Sequence, residues 1–288
     1  MLTFLRTSLF TLCLVVLLAE QGVAQEVKSQ EKPLRIIALA PHIVEMLYEI
    51  GAGELIIGTT DHADFPEQAK EIPLVGNYSN LNVEQILSLD PDLIIAWKTG
   101  NPSEDLARLA KMGIKIVHSE PKVLEDVATE VIKFGKITGN EVQAERVAQA
   151  FLKKLSGLKA LYQDKAPISI FFELWSRPLT TVARNSWPQQ QLAICKADNL
   201  FIDSLTDYPQ ISVEDVVLKG PEIIIQPSSM GKNSGDAVNW RQWETIPAVK
   251  ANAFLSPDAN KVYRMSSRVL DELTLLCAGI ERYRAARN

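Results

Sequence analysis

Uninterrupted apolar runs, rather than alternating ones, recur through the first half of the chain. The runs are RIIALA (35–40), LIIGTT (55–60), DLIIAW (92–97) and IKIVHS (114–119). Runs of this kind are typical of strands buried on both faces, as in a parallel sheet covered by helices. Segments with helical spacing of apolar residues lie between them: PHIVEMLYEIGAG (41–53), VEQILSL (83–89) and SEDLARLAKMG (103–113). The pattern predicts an α/β lobe with a parallel sheet over residues 34–138.

A long helical pattern follows this lobe. From 140 to 165 the sequence reads NEVQAERVAQAFLKKLSGLKALYQDK, and its apolar positions keep a helical period throughout. At about 1.5 Å per residue such a helix would be about 40 Å long, enough to bridge two lobes. We therefore assign residues 139–165 to a connecting helix. Because a single rigid helix permits little hinge motion, we expect little closure between the lobes.

The second half of the chain repeats the pattern of the first. Its expected strands are ISIFFEL (168–174), EIIIQP (222–227) and a shorter TTVA (180–183). Its expected helices are WPQQQLAIC (187–195), SVEDVVL (212–218) and SRVLDELTLLCAGIERYRAA (267–286). Residues 166–288 thus form a second predicted lobe. The fold class is α/β, with two Rossmann-like lobes that contain parallel sheets, joined by one long α-helix, and with a cleft between the lobes.

Two stretches 130 residues apart resemble each other. They read NVEQILSLDPDLIIAW (82–97) and SVEDVVLKGPEIIIQP (212–227). Each begins with Asn or Ser followed by Val-Glu, continues through an apolar helical segment, and reaches a Pro followed by an acidic residue before an apolar run. We interpret this as a repeat of architecture, in which one helix leads into one parallel strand in each lobe.

The first 24 residues predict a cleaved secretory signal peptide. One Arg precedes the apolar run from Leu9 to Ala19, and the small residues Gly22 and Ala24 suit cleavage before Gln25. The run is shorter than the roughly 20 residues that a membrane-spanning helix needs, although an uncleaved anchor is the alternative. Residues 25–33 are polar and predict a loose leader. The protein is therefore expected to be exported.

Composition excludes few functions. The chain has 288 residues with 47% hydrophobic and 23% charged residues, as is ordinary for a globular protein. The net charge of −5 gives no sign of the basic surface that binds nucleic acid. Removal of the signal peptide leaves two cysteines, Cys195 and Cys277, and an even count in an exported chain favours one disulfide. Two unpaired buried thiols are the alternative.

Motifs for catalysis or for a metal site do not emerge from the sequence. G-x-S-x-G, a P-loop, C-x-x-C and H-E-x-x-H are all missing from it. Three scattered histidines are too few for a zinc- or manganese-binding protein, and the cluster Asp61-His62-Ala63-Asp64 offers few ligands for a closed metal site. We therefore expect no enzymatic activity, no cofactor and no bound structural metal. A secreted hydrolase remains the alternative from another class.

Four aromatic residues occupy related loop positions. Trp97 and Trp175 follow predicted strands, where open α/β sheets bind ligands, and Tyr78 and Tyr208 precede the two copies of the repeat. Any one of them alone would most simply be a packing residue. Together they favour a shared, aromatic-lined cleft for a large planar ligand.

Glu84 and Glu214 occupy matched positions in the repeat. Asn82 and Ser212 are good N-caps, which puts both glutamates in a first helical turn. A carboxylate there gains about 0.3–1 kcal/mol from the helix dipole. Two matched carboxylates would also present twin negative points to a basic partner. These two explanations are equally good on physical grounds.

Five segments of the chain are familiar from a known family: RIIALAPHIVEML, DHADFPEQAKEIPLVGNYSNLNVEQILSLDPDLIIAWKTGNP, CKADNLF, YPQISVEDVV and SSRVLDELTLLC. Through them the chain resembles the periplasmic substrate-binding proteins of the helical-backbone class, and among them those that bind cobalamin, which implies that the exported protein lies in the periplasm. The resemblance covers nearly all of the chain after the signal peptide, most strongly over 34–101 and least over 228–262. It implies a monomer that holds cobalamin or a related corrinoid between two lobes and delivers it to the permease dimer of an ABC importer.

The resemblance also implies roles for individual residues. Glu84 and Glu214 would dock against arginines of the permease, and Cys195 would form a disulfide with Cys277. The implied ligand contacts are His62, Tyr78, Trp97, Trp175, Tyr208, Asp258 and Arg264.

Two departures bear on which ligand is bound. His62 stands where the family has a tyrosine, and the segment from Asp258 to Arg264 has changed in length and composition. An imidazole can coordinate cobalt or iron, although a solvated loop histidine is the simpler interpretation. The alternative ligand within the same fold is haem or a ferric siderophore.

Overall fold

The computed structural model describes residues 32–228 and 237–287, and the residues from Leu34 onward form one compact unit. The predicted signal peptide (1–24) and most of the predicted leader (25–33) lie outside the described residues. Within the described ranges, no helix is both long enough and apolar enough to cross a membrane.

The strands are mostly short and buried. In chain order they are β1 (Ile36–Ala38), β2 (Ile56–Thr59), β3 (Leu93–Trp97), β4 (Lys115–Ser119), β5 (Ile168–Phe172), β6 (Trp175–Ser176), β7 (Leu179–Thr180), β8 (Ala197–Asn199), β9 (Ile223–Ile225) and β10 (Phe254–Leu255). The helices are α1 (Pro41–Glu49), α2 (Val83–Ser88), α3 (Ser103–Lys111), α4 (Asp126–Thr138), α5 (Glu141–Tyr162), α6 (Trp187–Ile194), α7 (Val213–Lys219), α8 (Pro247–Lys250), α9 (Ala259–Val262) and α10 (Val269–Arg287).

Two parallel sheets of four strands share one topology. The first has the order β2-β1-β3-β4 and the second has the order β8-β5-β9-β10 when both are written from the same edge. In each, the second strand in sequence lies at one edge, followed by the first, third and fourth. The central strands β1 and β9 are completely buried, and the central strands β3 and β5 have one partly buried residue each, as expected for strands covered on both faces. The predicted fold class, α/β with parallel sheets joined by one long helix, is confirmed.

The repeated stretches occupy the same place in the two sheets. Each supplies a short helix and then the third strand, α2 with β3 and α7 with β9. The acidic residue after each proline makes the same kind of contact with the neighbouring strand. Asp92 accepts a hydrogen bond from the Arg35 backbone N–H at 2.9 Å, and Glu222 accepts one from the Ser169 N–H at 2.9 Å. Each carboxylate therefore fixes the start of the neighbouring strand.

Both helices of the repeat carry the caps that the sequence predicts. The Asn82 side chain accepts a hydrogen bond from the Gln85 N–H at 3.0 Å, and the Ser212 hydroxyl accepts one from the Asp215 N–H at 3.1 Å. The Asp215 carboxylate in turn accepts from the Ser212 N–H, which completes a capping box.

The connection between the sheets is α5, which lies within the predicted segment 139–165. Its buried face includes Phe151, Leu155 and Leu158, which pack into the same apolar core as the first and second sheets. The predicted disulfide between Cys195 and Cys277 is also present, and both residues are fully buried. It joins the end of α6 to α10.

Several elements of the second half differ from the sequence prediction. TTVA (180–183) lies only partly in a strand, because β7 ends at Thr180 and pairs with β6 in a small antiparallel hairpin outside the main sheet. The edge strands β8 and β10 have no counterpart among the predicted apolar runs. Each is only two or three residues long, and β8 reads Ala-Asp-Asn, so neither produces a hydrophobic run.

Candidate functional site

The carboxyl ends of the two sheets come together. The loop after β2 contains His62 and Asp64, and the segment after β10 contains Arg264. The Arg264 guanidinium donates to the Asp64 carboxylate at 2.5 Å and to the His62 backbone carbonyl at 2.8 Å. Because ligands of open α/β sheets bind beyond the carboxyl ends of the strands, this is the region in which a ligand site is expected.

A buried ion cluster lies at this junction. Glu45, on α1, has a side chain that is only 3% exposed, and it accepts a hydrogen bond from Arg264 at 2.7 Å and one from Arg268 at 2.8 Å. The Ser266 hydroxyl donates to its second oxygen. Since the acids come from the first half and the cations from the second, the cluster links the halves in addition to α5. Nothing in the sequence marks Glu45 as a site residue, because it has the spacing of an ordinary helix residue.

Arg264 is thus committed to protein groups. Its side chain is 9% exposed, and its hydrogen-bond partners are carboxylates and a carbonyl. Asp258, at the other end of the same segment, is the N-cap of α9 and accepts from the Asn260 N–H at 2.9 Å. The ligand roles of both residues stay predictions. In this structure Asp258 caps α9, and Arg264 fixes the end of the 258–264 segment to Glu45, Asp64 and the His62 carbonyl.

His42, at the start of α1, is buried beside the cluster. Its imidazole lies 3.2 Å from the Ser119 hydroxyl, and its ring meets the Trp97 ring edge-to-face with centroids 5.7 Å apart. Burial, and secondarily the positive charge of Arg264, lower the pKa of His42 to about 3. The imidazole is therefore neutral at ordinary pH.

Trp97 lies where the sequence placed it, at the carboxyl end of β3, but it is half-buried. One side of its ring packs against Gly100, where an added Cβ would come within 1.8 Å of the indole. The Asn101 side chain accepts from the Trp97 N–H and donates to the Leu39 carbonyl, so the loop is fixed to the sheet. Trp97 therefore forms part of the wall of this region.

Trp175 and Tyr208 belong to one connected unit of the second half. Trp175 is 64% exposed and pairs across the hairpin with Thr180. Thr180 in turn bridges to Gln210, two residues after Tyr208, which is 49% exposed. Burial is the main cause that raises the pKa of the Tyr208 hydroxyl. Backbone pairing therefore connects the strand of Trp175, through Thr180, to the segment that contains Tyr208.

Tyr78 and His62 extend from the first half. Tyr78 is 72% exposed in the loop that precedes α2. His62 has a left-handed backbone conformation with φ 63°, and its side chain is 77% exposed, 3.6 Å from Asp61. Both side chains are free to meet a ligand. Because Asp64 is taken by Arg264, the Asp61–Asp64 cluster lacks the geometry of a metal site, and the described residues contain no group of three His, Cys, Asp or Glu side chains arranged to hold a metal.

A second buried carboxylate lies at the carboxyl end of β5. Glu173 is 4% exposed and accepts four hydrogen bonds at 2.6–3.0 Å, from Ser176, Gln226, Val238 and Trp240. Its position directly after a buried strand is the sequence signal that marks it as a candidate site residue.

Glu84 and Glu214 are both exposed in the first turns of α2 and α7, as predicted. Neither carboxylate is drawn into the buried clusters. Their docking role stays a prediction.

Comparison with known proteins fits this geometry. Residues 36–260 match the family model described as periplasmic binding protein. The chain is 34% identical over 254 residues to a vitamin B12-binding protein of Vibrio campbellii, covering 88% of this chain and 91% of that one. It is 35% identical over 263 residues to the vitamin B12-binding protein of Vibrio vulnificus strain CMCP6, covering 90% and 95%.

Solved structures give the same result. The periplasmic vitamin B12-binding protein BtuF of Vibrio cholerae superposes with a TM-score of 0.80 at 33% identity, over 87% of this chain and 97% of that chain. The periplasmic haem-binding protein RhuT from Roseiflexus superposes at 0.77 over 88% and 100%, but at 20% identity it shares the fold alone. By the family match over most of its length, the chain belongs to the periplasmic binding protein family.

Proposed function

We propose that this chain is the solute-binding component of an ABC importer and that it binds a corrinoid, cobalamin, beyond the carboxyl ends of its two sheets. The observation that carries the proposal is identity of 32–35% over most of the chain to proteins named vitamin B12-binding protein. The predicted signal peptide supports a place in the periplasm. N-terminal sequencing of the exported protein should begin at Gln25.

The exposed aromatics explain how a corrinoid would be held. Trp175, Tyr208 and Tyr78 offer flat apolar surfaces on which a large ring can be buried, and their polar edges can reach groups at its rim. The Glu45 cluster and α5 both link the halves, so the ring would enter a site whose width is already fixed. Such preorganisation lowers the cost of ordering on binding. The ligand is bound and released chemically unchanged.

Haem is the second candidate because of His62. Its exposed imidazole is of the type that binds iron, and it extends from a fixed loop at the same junction. A haem site would use His62 as an axial ligand, whereas a cobalamin site requires only contact there.

The test is binding of cyanocobalamin, cobinamide and haemin to the purified mature protein, by calorimetry and tryptophan fluorescence. We expect a corrinoid Kd below about 10 μM, equivalent to about −7 kcal/mol. Trp175→Ala should weaken binding at least ten-fold. The matched control is Leu275→Ala, which removes an apolar side chain of equal exposure (63% against 64%) on α10. Tight haemin binding that depends on His62, without corrinoid binding, would replace cobalamin by haem.

We further propose that Glu84 and Glu214 form the docking points for the permease. Both carboxylates are exposed in the first turn of a helix, and each helix leads into the third strand of its sheet. The two sheets have the same strand order, so the matched positions support this role. Charge reversal of both should abolish corrinoid uptake in cells and leave the Kd unchanged. The control is reversal of Glu104, an exposed first-turn glutamate on α3. Loss of affinity in the double variant, or equal loss of uptake in the control, would contradict the docking role.

A further inference from the structure

Glu173 joins three separate segments of the second half. Its Oε1 accepts from the Ser176 hydroxyl at 2.7 Å and from the Val238 N–H at 3.0 Å. Its Oε2 accepts from the Gln226 amide at 2.8 Å and from the Trp240 indole N–H at 2.6 Å. A carboxylate offers about four lone-pair positions, so its acceptor capacity is fully used. No oxygen is left to serve a ligand directly.

The donors identify what the carboxylate holds. Ser176 belongs to the hairpin that carries Trp175, and Gln226 marks the end of β9. Val238 and Trp240 belong to the segment that returns the chain to the sheet, where the Trp240 ring packs edge-to-face on Phe171 of β5 at 5.3 Å. The hairpin, the end of β9 and the segment around Val238 and Trp240 are therefore all hydrogen-bonded to one buried carboxylate at the end of β5.

The two strands of the hairpin are held unequally. The β7 side is fixed to the 207–211 segment, because the Ile211 N–H donates to the Leu179 carbonyl and the Thr181 N–H donates to the Pro209 carbonyl, both at 3.0 Å. The strands β6 and β7 contain two residues each, and a two-stranded hairpin is marginal on its own in water. Trp175 itself is 64% exposed and so gains little from packing. The Leu174 N–H donates to the Thr180 carbonyl, which closes the hairpin directly after Glu173. β6, by contrast, pairs with β7 alone among the described residues, so the Ser176 hydroxyl bond to Glu173 fixes the strand that carries Trp175 to the end of β5.

We propose that Glu173 is a positioning residue for ligand binding: it presents Trp175 to the bound molecule. The proposal rests on the proposed function in one respect, that Trp175 contacts the ligand. It adds a residue that touches no ligand but determines affinity.

The first experiment needs no ligand. Glu173→Gln replaces one acceptor oxygen by an amide that faces donors, so the anchor is lost at nearly constant volume. Amide exchange measured by mass spectrometry should become roughly ten-fold faster in the peptide covering 173–181, as expected for loss of a hydrogen bond to a charged group, and remain unchanged in the first sheet. The matched control is Glu222→Gln, which removes the carboxylate that holds Ser169 at the opposite end of the same strand pair. It should leave the hairpin peptide unchanged.

The second experiment is a double-mutant cycle on affinity, with cyanocobalamin as the probe, or haemin if the wild type binds haemin instead. Glu173→Gln should raise the Kd about ten-fold, and Glu222→Gln should not. If Glu173 acts through Trp175, the variant with both Glu173→Gln and Trp175→Ala should bind no more weakly than Trp175→Ala alone. Additive losses, or unchanged exchange in the hairpin, overturn the proposal. If the wild type binds only haemin, cobalamin is refuted as the ligand, and the same cycle measured with haemin still tests the role of Glu173.

Discussion

Replacement of Arg264 by Met should destabilise the protein by about 3 kcal/mol. The variant keeps an apolar stem and removes a guanidinium that contacts Glu45 at 2.7 Å, Asp64, and the His62 carbonyl at 2.8 Å. Removing one partner of a buried ion pair costs about 3–5 kcal/mol, because a buried charge is left uncompensated. Here the cost should fall at the lower end. Glu45 keeps Arg268 at 2.8 Å, and Asp64, with its side chain 33% exposed, can be rehydrated.

The measurement is equilibrium unfolding in guanidinium chloride, followed by circular dichroism and tryptophan fluorescence in the absence of reductant. If the slope of the unfolding free energy against denaturant concentration is unchanged, the shift in midpoint reflects a change in stability alone. The control is Lys154→Met, which breaks the exposed pair between Lys154 on α5 and Asp271 on α10, with side chains 43% and 64% exposed. Such pairs contribute about 0–1 kcal/mol. A loss for Arg264→Met no larger than that of the control would refute the idea that the cluster holds the halves together.

Three further predictions concern the pKa of His42, the disulfide and a helix cap. Because the pKa of His42 is lowered from 6.5 to about 3, only the unfolded state binds its proton between these values. Its stability contribution should be complete above pH 6.5 and fall by about 1.4 kcal/mol per pH unit below it, and a His42→Asn variant with the same pH dependence would contradict this. Replacing Cys195 and Cys277 together by Ala should cost about 4 kcal/mol, since the bond closes a loop with a separation of 82 residues, and an unchanged Tm would argue against this. Asn82→Ala should cost about 1 kcal/mol in chemical unfolding and Asn82→Ser much less; equal losses would show that the cap acceptor is unimportant.

The long apolar runs located the central strands because burial on both faces leaves a strong signal in the sequence. Uninterrupted runs marked β1, β3, β5 and β9, and these strands are entirely or almost entirely buried. The edge strands of the first sheet, β2 and β4, also lie in apolar runs, but those of the second sheet do not: β8 contains an exposed Asp198 and is defined by its pairing with β5. Pairing between distant segments is therefore what the sequence pattern failed to reveal.

The candidate site divides in a similar way. Trp175, Tyr208 and Tyr78 could be proposed as ligand contacts because their loops follow a strand or precede a repeated helix, which are local features, and their ligand contacts stay predictions. Glu45 was not identifiable, because its burial depends on cations more than 200 residues away in the chain. For the same reason, the sequence did not reveal that Arg264, an implied ligand contact, lies in this buried cluster.

The order of the chain gives this cluster a consequence for folding. Glu45 belongs to the first helix, whereas Arg264 follows it by 219 residues and Arg268 by 223. Until those cations are in place, the first sheet can form from its own apolar strands, but a carboxylate without a counter-charge should stay hydrated. The packing of α1 should therefore be completed only when the last segment of the chain has folded. Truncation of the C-terminus should then destabilise α1 and the N-terminal sheet.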